Sequence, residues 1–431
     1  MAFVVQCSRS SIKERQRIST IVTSVRLRGG SCETRRCLRV RRAQGVRELR
    51  SCKVAASANL GNETTSLSAD AEARDSIRLA IPSKGEIHQA AVELLNSCGL
   101  EVDLRNPRQY VGSIKHFPEV ELWLQRPADI VRKVKDGTLD IGVAGYDLVA
   151  EYNGTSTDVV IVHDSLGFGI CRLGLGVPIL WTDIHNIEDF RRFTESRSQP
   201  LRIVTKFPNQ SEIFLAAHAI RNYRLLYQDG ALEAATQLGT ADCIIDLISS
   251  GVTLRENNLK EIPGGTILQS EMQLIGNRSR LAADQTRYPF AERLRDFVRE
   301  LIERMDAHFT AQQHYNVIAN IRGESAGDVA RRLGEFTDLR GLDGPTISTV
   351  IPPRGVAHGM YAIGLVVKKT QIYSAMKQLR RVGGSGVCVL PVTFVFEGTT
   401  DRWKRLCEEL QIPFENDEWK TMPRPFSSDK L

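Results

Sequence analysis

From residue 77 onward, short apolar runs alternate with segments of helical spacing. The run IRLAIP (77–82) predicts a strand, and the apolar residues that follow recur every three or four positions as far as Gly99. That spacing is typical of an amphipathic helix. The turn Ser83-Lys84-Gly85 separates the two elements. Strand, turn and helix in such short succession form the repeating unit of an α/β domain.

The same alternation continues to residue 254. Further strands are predicted at 139–145, 159–163, 171–178, 201–209 and 243–247, and helices at 127–134, 211–220 and 231–238. Open α/β sheets bind ligands beyond the carboxyl ends of their strands. We therefore expect two α/β lobes with a cleft between them. Residues 77–165 and 255–308 are assigned to the first lobe, and residues 166–254 to the second.

A third unit follows a long amphipathic helix that is predicted at about 283–310. Its strands are predicted at 315–321, 345–352, 360–369 and 386–398, and its helices at 327–336 and 371–383. The order βαββαβ is that of a ferredoxin-like fold, which we place at 312–400. Modules of this kind often bind ligands rather than catalyse reactions. Residues 414–431 are expected to be irregular.

Basic residues are concentrated at the N-terminus. Residues 1–53 hold 14 of the 57 Lys and Arg residues but only three of the 51 acidic ones, so the remainder is slightly acidic. A segment rich in Arg, Ser and Thr without a long apolar stretch is typical of an organellar transit peptide. We assign residues 1–56 to a plastid transit peptide; a mitochondrial presequence and a permanently attached basic tail are the alternatives.

These distributions also exclude several classes of function. The slightly acidic remainder argues against a nucleic-acid-binding protein, and no apolar run approaches the ~18 residues of a membrane helix. The nine cysteines form no CxxC motif and no Cys/His cluster, and HExxH is absent. The sequence therefore predicts neither a zinc site nor a disulfide framework.

The strand predicted at 243–247 ends in residues that could bind a substrate. In DCIIDLISSGVTL (242–254), one carboxylate, Asp246, interrupts an apolar run that opens onto hydroxyls and a glycine. A carboxylate at this edge could accept hydrogen bonds from both hydroxyls of a ribose. Thr253 and Glu256 fit a capping box, and free N–H groups at a helix start favour phosphate. The order predicts a 5-phosphoribosyl site; an ordinary capped strand-to-helix turn is the alternative.

A longer motif contains this loop. The pattern Glu233-x5-Gly239-x-Ala241-x2-Ile244-x-Asp246-Leu247-x2-Ser250-Gly251-x-Thr253-Leu254 resembles the signature of ATP phosphoribosyltransferase at every fixed position. Other segments agree in order: IPSKG (81–85), QRPADIV (125–131), DIGVAGYDLVAEY (140–152), LGFGICRLGLGVP (166–178) and TKFPN (205–209). The resemblance covers about residues 77–400 and includes the C-terminal domain of the family's long form.

The resemblance implies a catalytic part with two lobes, like a periplasmic binding protein, and a defined reaction. The family joins N1 of ATP to C1 of 5-phosphoribosyl 1-pyrophosphate and releases pyrophosphate, which opens L-histidine biosynthesis. Mg²⁺ bound with the substrates' phosphates, inhibition by histidine and a hexamer of identical chains are also implied, and no fixed protein metal site is expected. The alternatives are a non-catalytic two-lobed binding protein and a regulatory subunit. Glu86, where the family usually has a basic residue, favours the latter.

The resemblance also indicates the site residues. Asp246 and Lys84 are the expected catalytic residues. The expected substrate-binding residues are Glu233, Ser249, Ser250, Gly251, Val252, Thr253, Leu254, Arg126, Gly85, Gly145, Thr205 and Lys206. Thr346, Ser348, Tyr361 and Ala362, on neighbouring strands, are expected to line the histidine site. Asp147 and Glu151 are further candidates for adenine or Mg²⁺, with helix capping by Asp147 as the alternative.

Overall fold

The computed structural model describes residues 74–414 except 105, 107–108, 285–287, 343, 352–358, 397 and 399. The transit-peptide assignment for residues 1–56 and the irregular tail from 415 onward lie outside these residues. None of the described helices has the length and apolar character that a bilayer-spanning segment requires.

The described residues form a succession of strands and helices. The first part comprises β1 (Ile77–Pro82), α1 (Gly85–Ser97), β2 (Val102–Asp103), β3 (Val111–Ile114), β4 (Phe117–Gln125), α2 (Pro127–Lys135), β5 (Ile141–Gly145), α3 (Tyr146–Asn153) and β6 (Val159–His163). The second part comprises β7 (Cys171–Pro178), α4 (Ile187–Ser196), β8 (Leu201–Thr205), α5 (Pro208–Ala217), β9 (Tyr223–Tyr227), α6 (Leu232–Gln237), β10 (Cys243–Ile248), α7 (Val252–Glu256), β11 (Leu259–Ser270) and β12 (Met272–Asn277). The last part comprises α8 (Arg278–Ala282), α9 (Ala291–Gln312), β13 (His314–Arg322), α10 (Ala326–Gly334), β14 (Thr346–Thr349), β15 (Met360–Lys368), α11 (Ile372–Arg381), β16 (Ser385–Pro391) and α12 (Asp401–Leu410).

The first lobe is built on a seven-stranded sheet with the order β2-β3-β4-β1-β5-β12-β6. β1 lies parallel to both β4 and β5, and its alternate residues are buried on both faces. Leu79 and Ile81 pack with α1 and α9, whereas Ala80 packs with α2. Burial on both faces explains why IRLAIP is an almost continuous apolar run.

The second lobe is a five-stranded sheet with the order β11-β7-β10-β8-β9. β8 pairs in parallel with β9 and β10, β7 pairs antiparallel with β10, and β11 pairs antiparallel with β7. One apolar cluster extends across both lobes, because Ile130 and Leu148 of the first belong to the same cluster as Leu173 and Ile203 of the second.

Two assignments for the segment 255–308 are wrong in detail. We placed the whole segment in the first lobe, but β11 pairs with β7 of the second sheet, and the chain returns to the first sheet only at β12. A strand pattern does not say which sheet the strand joins. The long helix begins at Ala291 rather than at about 283, because Pro289 cannot lie in a helix interior.

The third sheet has the order β14-β15-β13-β16, and all its neighbouring strands are antiparallel. This order confirms the predicted ferredoxin-like fold. Helices α10 and α11 bury Val329, Leu333, Ala375 and Leu379 against one face of the sheet. The last strand ends at Pro391, earlier than the predicted 398.

Helix α12 was not predicted. It follows the third sheet and buries Trp403, Leu406, Cys407 and Leu410 in the core of the first lobe. The C-terminal part of the described chain therefore returns to the first lobe.

The contact between α2 and β5 makes a test of packing possible at Gly142. A Cβ atom added there would lie 2.4 Å from the Cγ2 methyl of the buried Ile130 and 3.4 Å from that of Val134. We expect Gly142→Ala to lower the free energy of unfolding by about 1–3 kcal/mol, since a well-packed core resists an added methyl. Urea denaturation measures the change.

The matched control is Gly334→Ala at the end of α10, where no atom lies within 4 Å of the added Cβ. We expect it to be neutral or to stabilise by up to about 1 kcal/mol. An equal decrease in the free energy of unfolding of the two variants would contradict the assigned α2–β5 contact.

Candidate functional site

Asp246 lies near the carboxyl end of β10, opposite Gly174 of β7. Asp246 is two positions from Ile244 and from Ile248, so all three side chains lie on the same face of the strand. The two isoleucines pack with Leu232 of α6 and Leu254 of α7, and the Asp246 carboxylate therefore lies on the face that these helices cover. The sequence could not distinguish the two faces. The backbone N–H of Leu247 donates to the Asp246 carboxylate at 2.8 Å.

The surroundings of Asp246 disfavour its ionised form. Burial raises the pKa of Asp246 from 3.8 to about 6; the carboxylates of Glu233 and Asp147 raise it as well, and the Leu247 N–H and the Lys206 ammonium oppose them. In the described part of the chain, no Lys, Arg or His forms an ion pair with it. A half-buried carboxylate of this kind has spare acceptor capacity for the hydroxyls of a ligand.

The loop that follows is open to solvent. Ser249, Ser250 and Thr253 are exposed, and the backbone N–H groups of Ser250 and Gly251 meet no acceptor among the described residues. Gly251 has φ +72°, a conformation that favours glycine. The expected capping box is wrong: the helix starts at Val252 with no capping side chain, so Thr253 lies inside its first turn.

The two apolar residues expected in this loop differ in exposure. Val252 is 44 % exposed, whereas Leu254 is 5 % exposed and packs with Ile244 and Ile248. The Leu254 side chain therefore stabilises the turn from beneath, and a substrate contact through the backbone of Leu254 stays a prediction.

Two arginines near the loop were missed from the sequence. Arg172 of β7 donates from Nη1 to the Ser249 carbonyl at 3.1 Å. The Nη1 atom of Arg255 lies 3.5 Å from the position that a Cβ would take on Gly251, and no described residue forms an ion pair with it. Both arginines stand within matching segments or directly after them, which is the signal that could have found them.

Lys206 follows β8, the strand beside β10. Its ammonium lies 2.9 Å from the Asp229 carboxylate. Burial lowers the pKa of Lys206, but the hydrogen bond and charge of Asp229 outweigh it and leave this pKa above its usual value. Lys206 also lowers the pKa of both Asp246 and Asp147, so the structure brings this predicted residue to the Asp246 site.

Thr205, expected beside Lys206 as a substrate ligand, is fully buried. Its hydroxyl accepts the Phe207 N–H at 2.9 Å and lies 3.3 Å from the Ser211 hydroxyl. These contacts stabilise the turn into α5. Thr205 is therefore a structural residue of the turn and does not present its side chain to a ligand.

Lys84 and Arg126 lie at the same edge of the first sheet. The strands that precede them are parallel neighbours, and the Ser83 N–H donates to the Gln125 carbonyl at 2.9 Å. Both cations are exposed, and each stands immediately before a helix. Arg126 contributes to lowering the pKa of Asp229, although Lys206 has the larger effect.

The remaining expected residues near these strand ends are Gly85 and Glu233. Gly85 has φ +77° and no neighbour within 4 Å of an added Cβ. Glu233 lies in the first turn of α6 and raises the pKa of Asp246. Glu86 is exposed two positions after Lys84.

Asp147 joins the two lobes. It is 4 % exposed, and the Ser270 hydroxyl at the end of β11 donates to its Oδ1 at 2.6 Å. Burial raises its pKa, and the Ser270 hydrogen bond opposes this. Gly145, an expected binding residue, is buried directly before α3.

The suggestion that Glu151 contacts adenine or Mg²⁺ is wrong. Its two carboxylate oxygens accept the backbone N–H groups of Asn209 and Gln210, each at 3.0 Å. These residues form the first turn of α5 in the second lobe. Glu151 therefore caps that helix and fastens the two lobes, and it is 3 % exposed.

The four residues expected at the histidine site lie on two faces of the third sheet. Ser348 pairs with Ala362, and Thr346 with Gly364, on the face away from the helices. Tyr361 lies on the opposite face and packs against the helical core. The expectation that all four line one site is therefore corrected for Tyr361.

No group of three or more His, Cys, Asp or Glu side chains suited to a metal ion occurs in the described part of the chain.

Comparisons with known proteins place the chain in a family. The model "HisG: ATP phosphoribosyltransferase" matches residues 126–306, and "HisG, C-terminal domain" matches residues 311–393. The chain is 42% identical over 344 residues to ATP phosphoribosyltransferase 1, chloroplastic, of Arabidopsis thaliana, covering 79% of this chain and 82% of that protein. It is 40% identical over 376 residues to ATP phosphoribosyltransferase 2, chloroplastic, of the same plant, covering 86% and 89%.

Among solved structures, the ATP phosphoribosyl transferase (HisG:HisZ) complex from Thermotoga maritima covers 53% of this chain and 98% of its own matched chain, with 22% identity and a TM-score of 0.42. The identity and coverage of the two plant relatives, together with both family matches, lead to one conclusion: this chain belongs to the ATP phosphoribosyltransferase family, in the long form that carries a C-terminal domain.

Proposed function

We propose that this protein joins N1 of the adenine of ATP to C1 of 5-phosphoribosyl 1-pyrophosphate and releases pyrophosphate, the first step of histidine biosynthesis. The observation that carries the proposal is a half-buried carboxylate, Asp246, which forms no ion pair with any described residue. It is directly followed by an exposed loop whose Ser250 and Gly251 N–H groups meet no acceptor among those residues. Membership of the family supports the same reaction independently.

The two parts of this site suit the two ends of a ribose 5-phosphate. The Asp246 carboxylate accepts hydrogen bonds from the 2′- and 3′-hydroxyls. The N–H groups of Ser250 and Gly251 and the hydroxyl of Thr253 donate to the phosphate. Arg255, whose guanidinium lies over Gly251, supplies a positive charge for it.

The reaction needs positioning and charge stabilisation more than a protein nucleophile. The N1 lone pair of adenine forms the new bond to C1 as the bond between C1 and the pyrophosphate oxygen breaks, and the released electron pair leaves with the pyrophosphate. C1 carries partial positive charge in the transition state. Holding both partners in line lowers the barrier. Lys84 and Arg126 of the first lobe, together with Lys206 of the second, are suited to the negative charge of the pyrophosphate.

Mg²⁺ fits this donor set as a partner of the substrates. Mg²⁺ prefers carboxylate and phosphate oxygens and usually keeps only one or two protein ligands, and Asp246 is a carboxylate that no described cation occupies. Bound with the phosphates, Mg²⁺ would neutralise charge on the leaving group.

The third sheet is proposed to bind L-histidine as an inhibitor, with Thr346, Ser348 and Ala362 on its helix-free face. A hexamer of identical chains and location in the plastid stroma complete the proposal. The relatives named chloroplastic and the basic, hydroxyl-rich composition of residues 1–56 support the location.

Pyrophosphate release is the direct test of the reaction. The purified protein, mixed with ATP, 5-phosphoribosyl 1-pyrophosphate and Mg²⁺, is expected to release pyrophosphate only when both substrates are present. A folded protein that binds either substrate but releases none would support a regulatory subunit instead.

Asp246→Asn separates a binding carboxylate from a structural one. We expect kcat/KM for the sugar substrate to fall at least about a hundredfold, since two charge-assisted hydrogen bonds weaken. The folded wild type holds the Asp246 proton more tightly than the unfolded chain does, because the pKa rises from 3.8 to about 6. Its free energy of unfolding therefore loses this contribution as the pH rises from about 4 to 6.

Asp246→Asn carries no ionisable group at this position, so its free energy of unfolding does not decrease in this way as the pH rises. At pH 7.5, Asp246→Asn is expected to exceed the wild type in the free energy of unfolding by about 1–3 kcal/mol, with the difference shrinking toward pH 4. Chemical denaturation across this range measures it. A variant that is both inactive and less stable at pH 7.5 would make Asp246 a structural residue.

Inhibition by histidine is tested on the third sheet. Ala362→Arg, on the helix-free face, is expected to abolish inhibition by millimolar L-histidine and to leave the uninhibited rate within about twofold, because the domain lies apart from the transfer site. Lys377→Ala, exposed on α11 at the other face, is the matched control and is expected to remain inhibited. Equal inhibition of both variants would contradict the assigned face.

A further inference from the structure

We infer that Arg172 is a positioning residue that orients the phosphate-binding loop, with Glu261 holding it in place. This inference rests on the proposed function, because it concerns the loop to which the phosphate of the sugar substrate is assigned. Neither residue belongs to the set expected from the sequence.

Glu261 fixes the Arg172 guanidinium. Arg172 donates from Nε to one carboxylate oxygen of Glu261 at 2.8 Å and from Nη2 to the other at 2.6 Å. The Thr266 hydroxyl lies 3.3 Å from the first of these oxygens. The two-point pairing of a planar guanidinium with a carboxylate restricts rotation of both side chains.

The remaining side of the guanidinium faces the loop. Arg172 lies opposite Ile248 in the pairing of β7 with β10, and its Nη1 donates to the carbonyl of Ser249 at 3.1 Å. Ser249 is the first residue after β10. The contact therefore acts at the point where the loop leaves the sheet.

The orientation of the Ser249 carbonyl also fixes the orientation of an N–H group in the phosphate-binding loop. The Ser249 carbonyl and the Ser250 N–H belong to one planar trans peptide group, so they point in opposite directions. With the carbonyl held toward Arg172, the Ser250 N–H must point away from Arg172. This N–H meets no acceptor among the residues that the structure describes, which leaves it available to a ligand.

Arg172 differs from the other cation of the loop. The carboxylate of Glu261 already balances its charge, whereas Arg255 forms no ion pair within the described ranges. We therefore assign phosphate binding to Arg255 and orientation of the loop to Arg172.

The opposite end of β10 offers a matched control. Arg202 also binds a carboxylate, with Nη2 2.9 Å from Asp242, and also donates to a backbone carbonyl, that of Gly239, at 2.7 Å. Arg202 lies in β8, at the edge of the sheet away from the loop. Loss of either arginine removes one ion pair and at least one carbonyl contact in the same sheet.

The experiment compares Arg172→Lys with Arg202→Lys in the complete protein. A lysine keeps the charge but cannot hold Glu261 at two points and reach Ser249 as well. For Arg172→Lys we expect KM for 5-phosphoribosyl 1-pyrophosphate to rise about tenfold, while kcat and KM for ATP change less than about twofold. Arg202→Lys is expected to leave all three constants within about twofold, and thermal denaturation shows whether the two variants lose similar stability.

Glu261→Gln provides a second approach to the same contact. The amide retains one acceptor oxygen, so we expect a smaller rise in KM for the sugar substrate, of about threefold. An unchanged KM in Arg172→Lys would overturn the inference. An equal rise in Arg202→Lys would also overturn it, because the effect would then reflect general loss of lobe stability.

Calorimetric titration with 5-phosphoribosyl 1-pyrophosphate separates failure of this inference from failure of the proposed reaction. A wild type that binds this compound without turnover contradicts the transferase, yet weaker binding by Arg172→Lys alone would still support the orienting role. A folded wild type that neither binds nor reacts overturns both.

Discussion

Burial of the Asp246 carboxylate, with no ion-pair partner among the described residues, is the constraint on which the site depends. Desolvating a charge costs free energy, and the neighbouring Glu233 and Asp147 add repulsion, which together raise the pKa of Asp246 to about 6. The surrounding sheet makes this arrangement possible. β10 is paired on both sides, and Ile244 and Ile248 flank the acid with fully buried apolar contacts. Donors from a ligand would relieve the electrostatic cost that the sheet imposes.

Polar contacts fasten the two lobes beside this site. Asp147 accepts the hydroxyl of Ser270, and Glu151 caps the first turn of α5. Beneath them, one apolar cluster extends through both sheets. The facing edges that carry Arg126 and Lys206 are therefore held in a defined relation, which a reaction that depends on the alignment of two substrates requires.

The third sheet is connected to the first lobe at both of its ends. Helix α9 leads into it, and α12 returns from it to the first core. Arg402 of α12 donates to Asp164 at 3.0 Å and to Asp306 of α9 at 2.6 Å. Asp164 directly follows β6 and begins the connection to the second lobe. A displacement of the third sheet would thus act on the segment that joins the lobes.

The sequence by itself determined the kinds of element and the chemistry of the loop. Strands such as 77–82 and 171–178 were predicted within their observed bounds because their apolar runs lie between clear turns, and the order βαββαβ gave the third fold. The acid and the glycine-containing loop were recognised for the same reason: their residues are adjacent in the chain. Hydrophobic periodicity and short motifs depend on residues that are close in the chain, so the sequence alone predicts the elements that they form.

Only the tertiary structure decided which distant groups meet. It placed β11 in the second sheet, buried Thr205 and Leu254, used Glu151 as a helix cap, and brought Arg172 to the carbonyl of Ser249. The partners of these residues lie in other strands or helices, and Ser249 is 77 positions from Arg172. A carboxylate or guanidinium reads the same in a sequence whether it faces solvent, caps a helix or orients a loop. Its role follows from the partner that folding supplies.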